Sequence, residues 1–444
     1  MLELEEKSAD IAVLLRRISW RLIPFLLVLY IVSYLDRINL SFAALEMNGA
    51  LKFSDQVFGL GAGIFFIGYC VFGIPSNLII KRFGPRRWIS SIMVVWGLVT
   101  VMMCSIKDAN TFYLLRFGLG AAEAGFFPGM LYYLTTWFPP RQYGVAVARF
   151  MSAIPLAGLL GSFVAARAFE LSGIGGIAGW QWLFLITGFP AIALGLCVFF
   201  FLPDNPHQVR WLSKQEADRV TAALVCGSES AAAVESNGDT RADTATKSAR
   251  SISGFSCFFS GIIWRFALLY FSSSVCMYGF QLWLPQIIKT FGYEKSSLVA
   301  MLAAIPALFQ AGGMLAVAAS SDRHCERRWH IVGASVLTGA GCLIAAIAPG
   351  GWLKLMGLSI AAFGIWGTVG PFWALARACL GKDSAAGIAF INSVGALGGF
   401  VGPDLIGRIK ALNVGGFNAA LYLLAGTAVL TSLLAITSPR EPKV

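Results

Sequence analysis

Apolar runs of about 20 residues alternate along the chain with short polar connections. At 1.5 Å of rise per helical residue, each run can cross about 30 Å of hydrocarbon. The pattern predicts twelve spans, over 20–44, 56–80, 87–106, 110–133, 143–167, 182–202, 260–290, 297–320, 330–348, 354–377, 385–408 and 416–436. One polar stretch interrupts the series. Its 226–253 part, rich in Ala, Ser, Thr, Asp and Glu, has too little apolar surface to offset the entropy of ordering and reads as a flexible linker. Ahead of it, Asn205–Leu224 is predicted as a short amphipathic helix on the inner membrane face. Val209, Leu212 and Val220 would point into that face, and Arg210, Lys214 and Arg219 away from it. The expected organisation is a six-helix bundle over 1–202, a partly disordered cytoplasmic linker over 203–259, and a second six-helix bundle over 260–444.

Composition agrees with an all-α membrane protein. Of 444 residues, 57% are hydrophobic and only 13% charged, where a soluble domain carries about 25% charged residues. The net charge of +11 raises nucleic-acid binding as a reading, but the placement of the basic residues argues against it. Arg16, Arg17, Arg21, Lys81, Arg82, Arg86, Arg87, Arg141, Arg210, Lys214, Arg323, Arg327, Arg328, Lys382, Arg440 and Lys443 fall in alternate connections or near the ends. The intervening connections hold few. This positive-inside bias puts both termini in the cytoplasm, with anionic lipid headgroups rather than nucleic acid as partners. The acidic start, Met1-Leu2-Glu3-Leu4-Glu5-Glu6, does not read as a signal peptide. Nine cysteines without CxxC spacing, and three histidines (His207, His324, His330) unpaired at ligand spacing within a span, leave no metal site expected. With no nucleophile–base pair or phosphate loop either, neither an enzyme nor a cofactor is expected.

The two halves echo each other. Span four holds Gly125-Phe126-Phe127-Pro128-Gly129 and span ten Gly370-Pro371-Phe372-Trp373; each is followed by a short basic loop. Spans five and eleven then open alike, Tyr143-Gly144-Val145-Ala146 against Ala386-Gly387-Ile388-Ala389, which sets Arg149 opposite Asn392. Paired six-span bundles are a recurring transporter architecture with the site between them near the midplane. Pro128, Pro155, Pro371 and Gly398-Gly399 are expected to kink their helices.

Five ionisable residues fall at membrane depth, all in the first six spans: Asp36, Arg37, Arg116, Glu123 and Arg149. A charge there costs roughly 2.5–3.5 kcal/mol on insertion scales and marks a solute pathway unless it is purely structural. Arg37 is the first candidate for a substrate carboxylate, because a guanidinium pairs bidentately with that group and stays charged. Tyr30, Tyr34 and Arg37 share a helix face, and Tyr69 of span two offers a second phenol. The plainer reading, that Arg37 neutralises Asp36, fits poorly, since neighbours on a helix point about 100° apart. Glu123 has small neighbours and no fixed positive partner in sequence. Desolvation favours the protonated form of such a carboxyl, so it can carry a proton or serve as a neutral structural acid. Arg149 could line the cavity or snorkel to the inner interface.

The loops Lys81-Arg82-Phe83-Gly84-Pro85-Arg86-Arg87 and Ser321-Asp322-Arg323-His324 resemble the repeated loop signature of the major facilitator superfamily. Lys81 stands where that signature has aspartate, and Asn77 where it has its leading glycine. A finer resemblance, to the anion:cation symporter family, rests on YLDRINLSFAAL (34–45), IFFIGYCVFGIPSNLI (64–79), LRFGLGAAEAGFFPGMLYYLTTWFP (115–139), GWQWLFLITGFPA (179–191), FLPDNPHQVRWLS (201–213) and GPFWALA (370–376). That family contains bacterial importers of organic anions such as tartrate, galactonate, phthalate and hydroxyphenylacetate. The resemblance implies twelve transmembrane helices in two pseudo-symmetric bundles, the major facilitator fold, in a bacterial inner membrane. It also implies a monomer that takes up a small organic anion with protons by alternating access.

The resemblance further maps a proton-coupling role onto Glu123, with Asp36 and Arg116 as a partner pair that rearranges as Glu123 titrates or that is simply structural. In the second half it marks Gln281, Trp373 and Asn392 as substrate contacts beside Arg37, Tyr34 and Tyr69. Phe372 next to Trp373 favours a less hydroxylated or aromatic anion. Two rivals remain. A drug antiporter of the same fold would carry G-P-x-x-G-G in span five, which Ile154-Pro155-Leu156-Ala157-Gly158 matches poorly. A transporter-like sensor would need a cytoplasmic output domain, and facilitated diffusion or exchange would need no proton carrier.

Overall fold

The computed structural model describes residues 2–225, 260–380, 385–412 and 416–439. The polar stretch 226–253, the loop around Lys382 and Asp383, and the side chains of Asn77 and Lys81 lie outside the described residues. The first half consists of α1 (Leu2–Ala50), α2 (Asp55–Phe83), α3 (Pro85–Met102), α4 (Ala109–Glu123), α5 (Phe126–Thr135), α6 (Pro140–Met151), α7 (Ala153–Glu170) and α8 (Gly179–Phe201). After a helical segment at 214–225, here α9, the second half runs through α10 (Gly261–Lys289), α11 (Ser296–Leu302), α12 (Ala304–Arg323) and α13 (Arg328–Ile347). It ends with α14 (Gly351–Gly367), α15 (Val369–Leu380), α16 (Ala385–Ala411) and α17 (Gly416–Ile436).

Eleven helical stretches among the described residues are long and apolar enough to cross a membrane. The twelfth predicted span, the fourth, is divided into α4 and α5 by a turn at Ala124 and Gly125. Spans five, eight and ten show a lesser version of the same division, at Ser152, Ala303 and Thr368. All four interruptions precede a proline by three residues: Pro128, Pro155, Pro306 and Pro371. Proline lacks an N–H and its ring crowds the carbonyl one turn back, so the turn before it opens. The kinks expected at Pro128, Pro155 and Pro371 are therefore present, and Pro306 adds a fourth. At Gly398-Gly399, where a kink is also expected, α16 continues without a break, and a Cβ on Gly399 would strike the ring of Phe66 on α2.

The predicted amphipathic helix begins only at 214. The preceding residues form a turn anchored to the first half, with Tyr133 donating to the Pro203 carbonyl at 2.9 Å. Arg21 lies 4.8 Å over Trp211, which stacks with Trp137. Arg17 pairs with Glu216, and Asp204 accepts from the Arg86 amide at 2.9 Å. Leu212, Ala217 and Val220 are buried beneath this seam.

The two halves meet at the end of the bundle remote from this seam, here the far face. Lys410 of α16 donates to Asp55 of α2 at 2.6 Å, and its ammonium lies 4.2 Å from the ring centre of Phe417. Lys289 donates to the Leu45 carbonyl at 2.9 Å, and Phe58 meets Trp283 edge-on at 4.9 Å. At the opposite face, which carries the termini, the ion pairs among the described residues stay within one half. Asp322 pairs with Arg327 and Glu326 with His330 in the second half, while Arg86 and Asp204 pair in the first.

Candidate functional site

The site begins where α1 carries Asp36 and Arg37 side by side. A helix turns about 100° between neighbours, and the two side chains diverge accordingly. Asp36 is fully buried and turns toward α3 and α8. It accepts from Thr100 and, at 2.8 Å, from the Asn39 amide, which also donates to Thr187 at 2.9 Å. Arg37 turns instead toward α2 and α4, where its Nη2 meets Glu123 Oε2 at 3.0 Å. Its guanidinium lies 5.4 Å from the ring centre of Phe65 and 5.3 Å from that of Tyr69.

Glu123 is the last residue of α4, fully buried and directly ahead of the break. The far end of α4 is fixed by Asp108, which caps it by accepting from the Thr111 amide at 2.9 Å and the Thr111 hydroxyl at 2.7 Å. The amide bond, then the hydroxyl bond, hold the Asp108 carboxyl below its ordinary range. At the other end, a Cβ on Gly125 would collide with the Ser76 hydroxyl, so glycine is what lets the broken span lie against α2.

Arg116, two turns before Glu123, is 1% exposed. It donates to the carbonyls of Gly61 and Ala62 at 3.3 and 3.4 Å and lies 4.8 Å over Phe65. The ring of Phe65 thus stands beside both cations. Two expectations are corrected here. Asp36 and Arg116 are not an ion pair: neutral donors satisfy Asp36, and α2 carbonyls with an aromatic face hold Arg116. Glu123 does have a positive partner, Arg37, which reaches it from α1. The pair uses one contact only. Arg37 Nε and Glu123 Oε1 are buried without a hydrogen-bond partner, as is Arg116 Nη1.

Two of the expected residues join the halves. Gln281 of α10 donates through Nε2 to the Tyr34 hydroxyl at 2.9 Å, and Tyr34 meets Trp366 edge-on. Tyr278, one turn before Gln281, stands near Arg37 and packs on Phe66 at 4.3 Å. Trp373 is partly buried against Tyr270 at 5.0 Å, and Asn392 is exposed. Neither reaches the Arg37 cluster by a hydrogen bond. Phe372 is 2% exposed and stacks on Tyr270, so it packs the second half and cannot select a solute as expected. Arg149 is exposed and donates to Ser19 at 2.8 Å.

Thr100, Thr187 and Tyr278 went unnoticed in the sequence. Each is a lone polar group in an apolar span, a pattern common enough to be uninformative before Asp36 and Arg37 were located. Asn39, three residues after Asp36 and so on its helix face, carried the clearer signal.

Residues 26–403 match the model of the Major Facilitator Superfamily. A protein of Agrobacterium vitis named "Putative tartrate transporter" is 42% identical over 431 residues, covering 96% of this chain and 92% of that protein. A quinolone resistance transporter of Acinetobacter baumannii is 39% identical, covering 93% and 91%. The inward open structure of the xylose transporter XylE from E. coli superposes with a TM-score of 0.72 at 14% identity, covering 96% of this chain and 97% of that one. The motifs, the eleven membrane-length helices among the described residues and these near-complete matches agree: the chain belongs to the major facilitator superfamily of membrane transporters.

Proposed function

We propose that the chain imports a small organic anion together with a proton by alternating access, with Arg37 and Glu123 as the exchange point. The Arg37–Glu123 contact, made at 3.0 Å by a fully buried carboxylate, carries this reading. A carboxylate solute can take Arg37 only when Glu123 gives it up. Protonation makes Glu123 a weak competitor, because charge-assisted hydrogen bonds are roughly twice as strong as neutral ones. Proton and anion therefore bind together. Loss of the proton returns Glu123 to Arg37 and expels the anion. Tyr34, Tyr69 and Gln281 surround this point with hydroxyl and amide groups suited to the rest of the solute, while Trp373 and Asn392 border the path of exit.

Asp36, held by neutral donors, is the reserve proton carrier, and Arg116 keeps Phe65 between the two cations. The positive-inside bias supports termini in the cytoplasm, and the bacterial relatives support an inner membrane. In that orientation Asp55–Lys410 and Phe58–Trp283 would hold the halves together on the outer side. The tartrate relative makes hydroxylated dicarboxylates the first substrates to try. The quinolone-resistance relative keeps efflux as a second reading.

The test is transport in proteoliposomes of known orientation under an imposed inward proton gradient, with radiolabelled tartrate, galactonate, phthalate and hydroxyphenylacetate. Accumulation of one acid, lost in Glu123→Gln while exchange of that acid survives, is the expected result. Uptake indifferent to the gradient refutes symport, and proton-driven loss of solute from the vesicles supports efflux instead.

A further inference from the structure

Outside the exchange point, the first half carries a groove between α2 and α3 with a volume of about 150 Å³. Phe72, Pro75 and Ile79 form one wall; Ser91 and Val95 form the other. Its floor is Ala121 and Ala122 of α4, immediately ahead of Glu123 and the break. The principal packing partners of α3 are α8, α4, α5 and α2, all in the first half. The groove therefore opens on the outer surface, where Phe72 and Val95 are exposed. Its polar atoms are already engaged: Trp88 donates to Ser76 at 3.0 Å, and Ser91 to the Arg87 carbonyl at 2.8 Å.

Both walls end on an arginine. On α3, Arg87, Ser91 and Val95 follow each other at four-residue intervals and form one stripe. On α2, Arg82 follows Ile79 by three residues and continues that wall. Gly84, at φ 83°, is the single residue joining the two helices, so these ends stay adjacent. Arg82 and Arg87 are exposed and form no ion pair among the described residues; the nearby carboxylate of Asp204 is taken by Arg86.

We propose that this groove holds an acyl chain of an anionic glycerophospholipid, with the phosphate between Arg82 and Arg87. A zwitterionic headgroup would bring a second cation against two arginines, whereas a net anion complements them. Because the chain would lie on Ala121 and Ala122, its presence buttresses the broken span that carries Glu123.

Brominated chains quench tryptophan on contact, and Trp88 lines the groove. The full protein is reconstituted in phosphatidylcholine vesicles with increasing dibromo-phosphatidylglycerol or dibromo-phosphatidylcholine. Subtracting the signal of Trp88→Phe isolates Trp88. Phosphatidylglycerol is expected to quench Trp88 saturably at a few mole per cent, and phosphatidylcholine only in proportion to its share of the bilayer. Arg82→Gln with Arg87→Gln should weaken the phosphatidylglycerol response about 30-fold, while Arg210→Gln with Lys214→Gln, on the same face away from the groove, leaves it intact. Ser91→Phe, which fills the groove, should abolish quenching by both lipids. Coincident curves for the two lipids in the unaltered protein, or an undiminished preference after removal of both arginines, would overturn the proposal.

Discussion

The first half buries Asp36, Arg116 and Glu123 and half-buries Arg37, while the second buries Ser272, Ser274, Ser335, Thr338, Thr368 and Thr431. Its buried Asp404 stands near the far face, tied to Arg408 one turn away at 2.7 Å. Much of this hydroxyl set is spent on its own helices: Thr338 donates to the Ala334 carbonyl, Thr368 to Ile365 and Thr431 to Thr427. Such groups let helices approach closely, but none of them gains or loses charge in the physiological range. Charge on one side can change the affinity of the site, and hydroxyls on the other can only shape it. Under the proposed exchange, switching would fall to the first half, which combines buried charge with its own buried hydroxyls, while the second half would contribute only to fit.

Removing the switch should have the largest effect. Arg37→Lys keeps the charge but loses the planar fork, and a charge-assisted bond of about 1.5–3 kcal/mol corresponds to roughly 10–100-fold weaker substrate binding. The measurement is substrate-dependent protection against thermal unfolding; an unchanged affinity would remove Arg37 from the site. Asp36→Asn should matter less, costing about 1 kcal/mol of stability, since a carboxamide still accepts from Asn39 and can donate to Thr100. If that variant loses gradient-driven accumulation as fully as Glu123→Gln, the proton belongs to Asp36.

Smaller effects should arise where the halves join. Asp55→Asn removes a partly exposed ion pair worth about 1 kcal/mol, which shifts an opening equilibrium about fivefold. Spin labels at Ile174 and Leu412, exposed on the far face of opposite halves, should report a longer distance in more of the population. Smallest is Ser335→Ala. Its hydroxyl is buried without a partner and lines a cavity of about 10 Å³, room for about one water. Replacing it should leave transport unaltered and stability within about 1 kcal/mol. A transport defect there would show that the second half switches as well.

The spans were legible because hydrocarbon thickness imposes a length that no soluble constraint obscures, and Asp36 and Glu123 stood out because charge in such runs is costly. The partners of those charges were not legible. Whether Arg37 meets Asp36, Glu123 or a solute depends on how α1, α2 and α4 come together in space, which the spacing within one helix does not record. Helical spacing separated Asp36 from Arg37 correctly, since it is local. The resemblance, not the spacing, offered Arg116 as a partner of Asp36; the packing of α3 and α8 that brings Thr100 and Thr187 toward Asp36 has no trace in the spacing. The prolines themselves were ambiguous: Pro24, Pro75, Pro190, Pro285 and Pro403 sit inside unbroken helices.

The single Arg37–Glu123 contact has an electrical consequence. With Glu123 ionised against Arg37 the empty exchange point sums to zero, and with a monoanion on Arg37 and a proton on Glu123 it sums to zero again. Under the proposed symport, the returning empty carrier would then move no net charge, and membrane voltage would have no hold on that step. A dicarboxylate accompanied by one proton carries one negative charge across, and an inside-negative potential opposes its entry by about 2.3 kcal/mol per 100 mV. Current recorded during uptake would therefore count protons per anion directly: silence for a one-to-one monoanion, and a signed current for every charge left uncompensated.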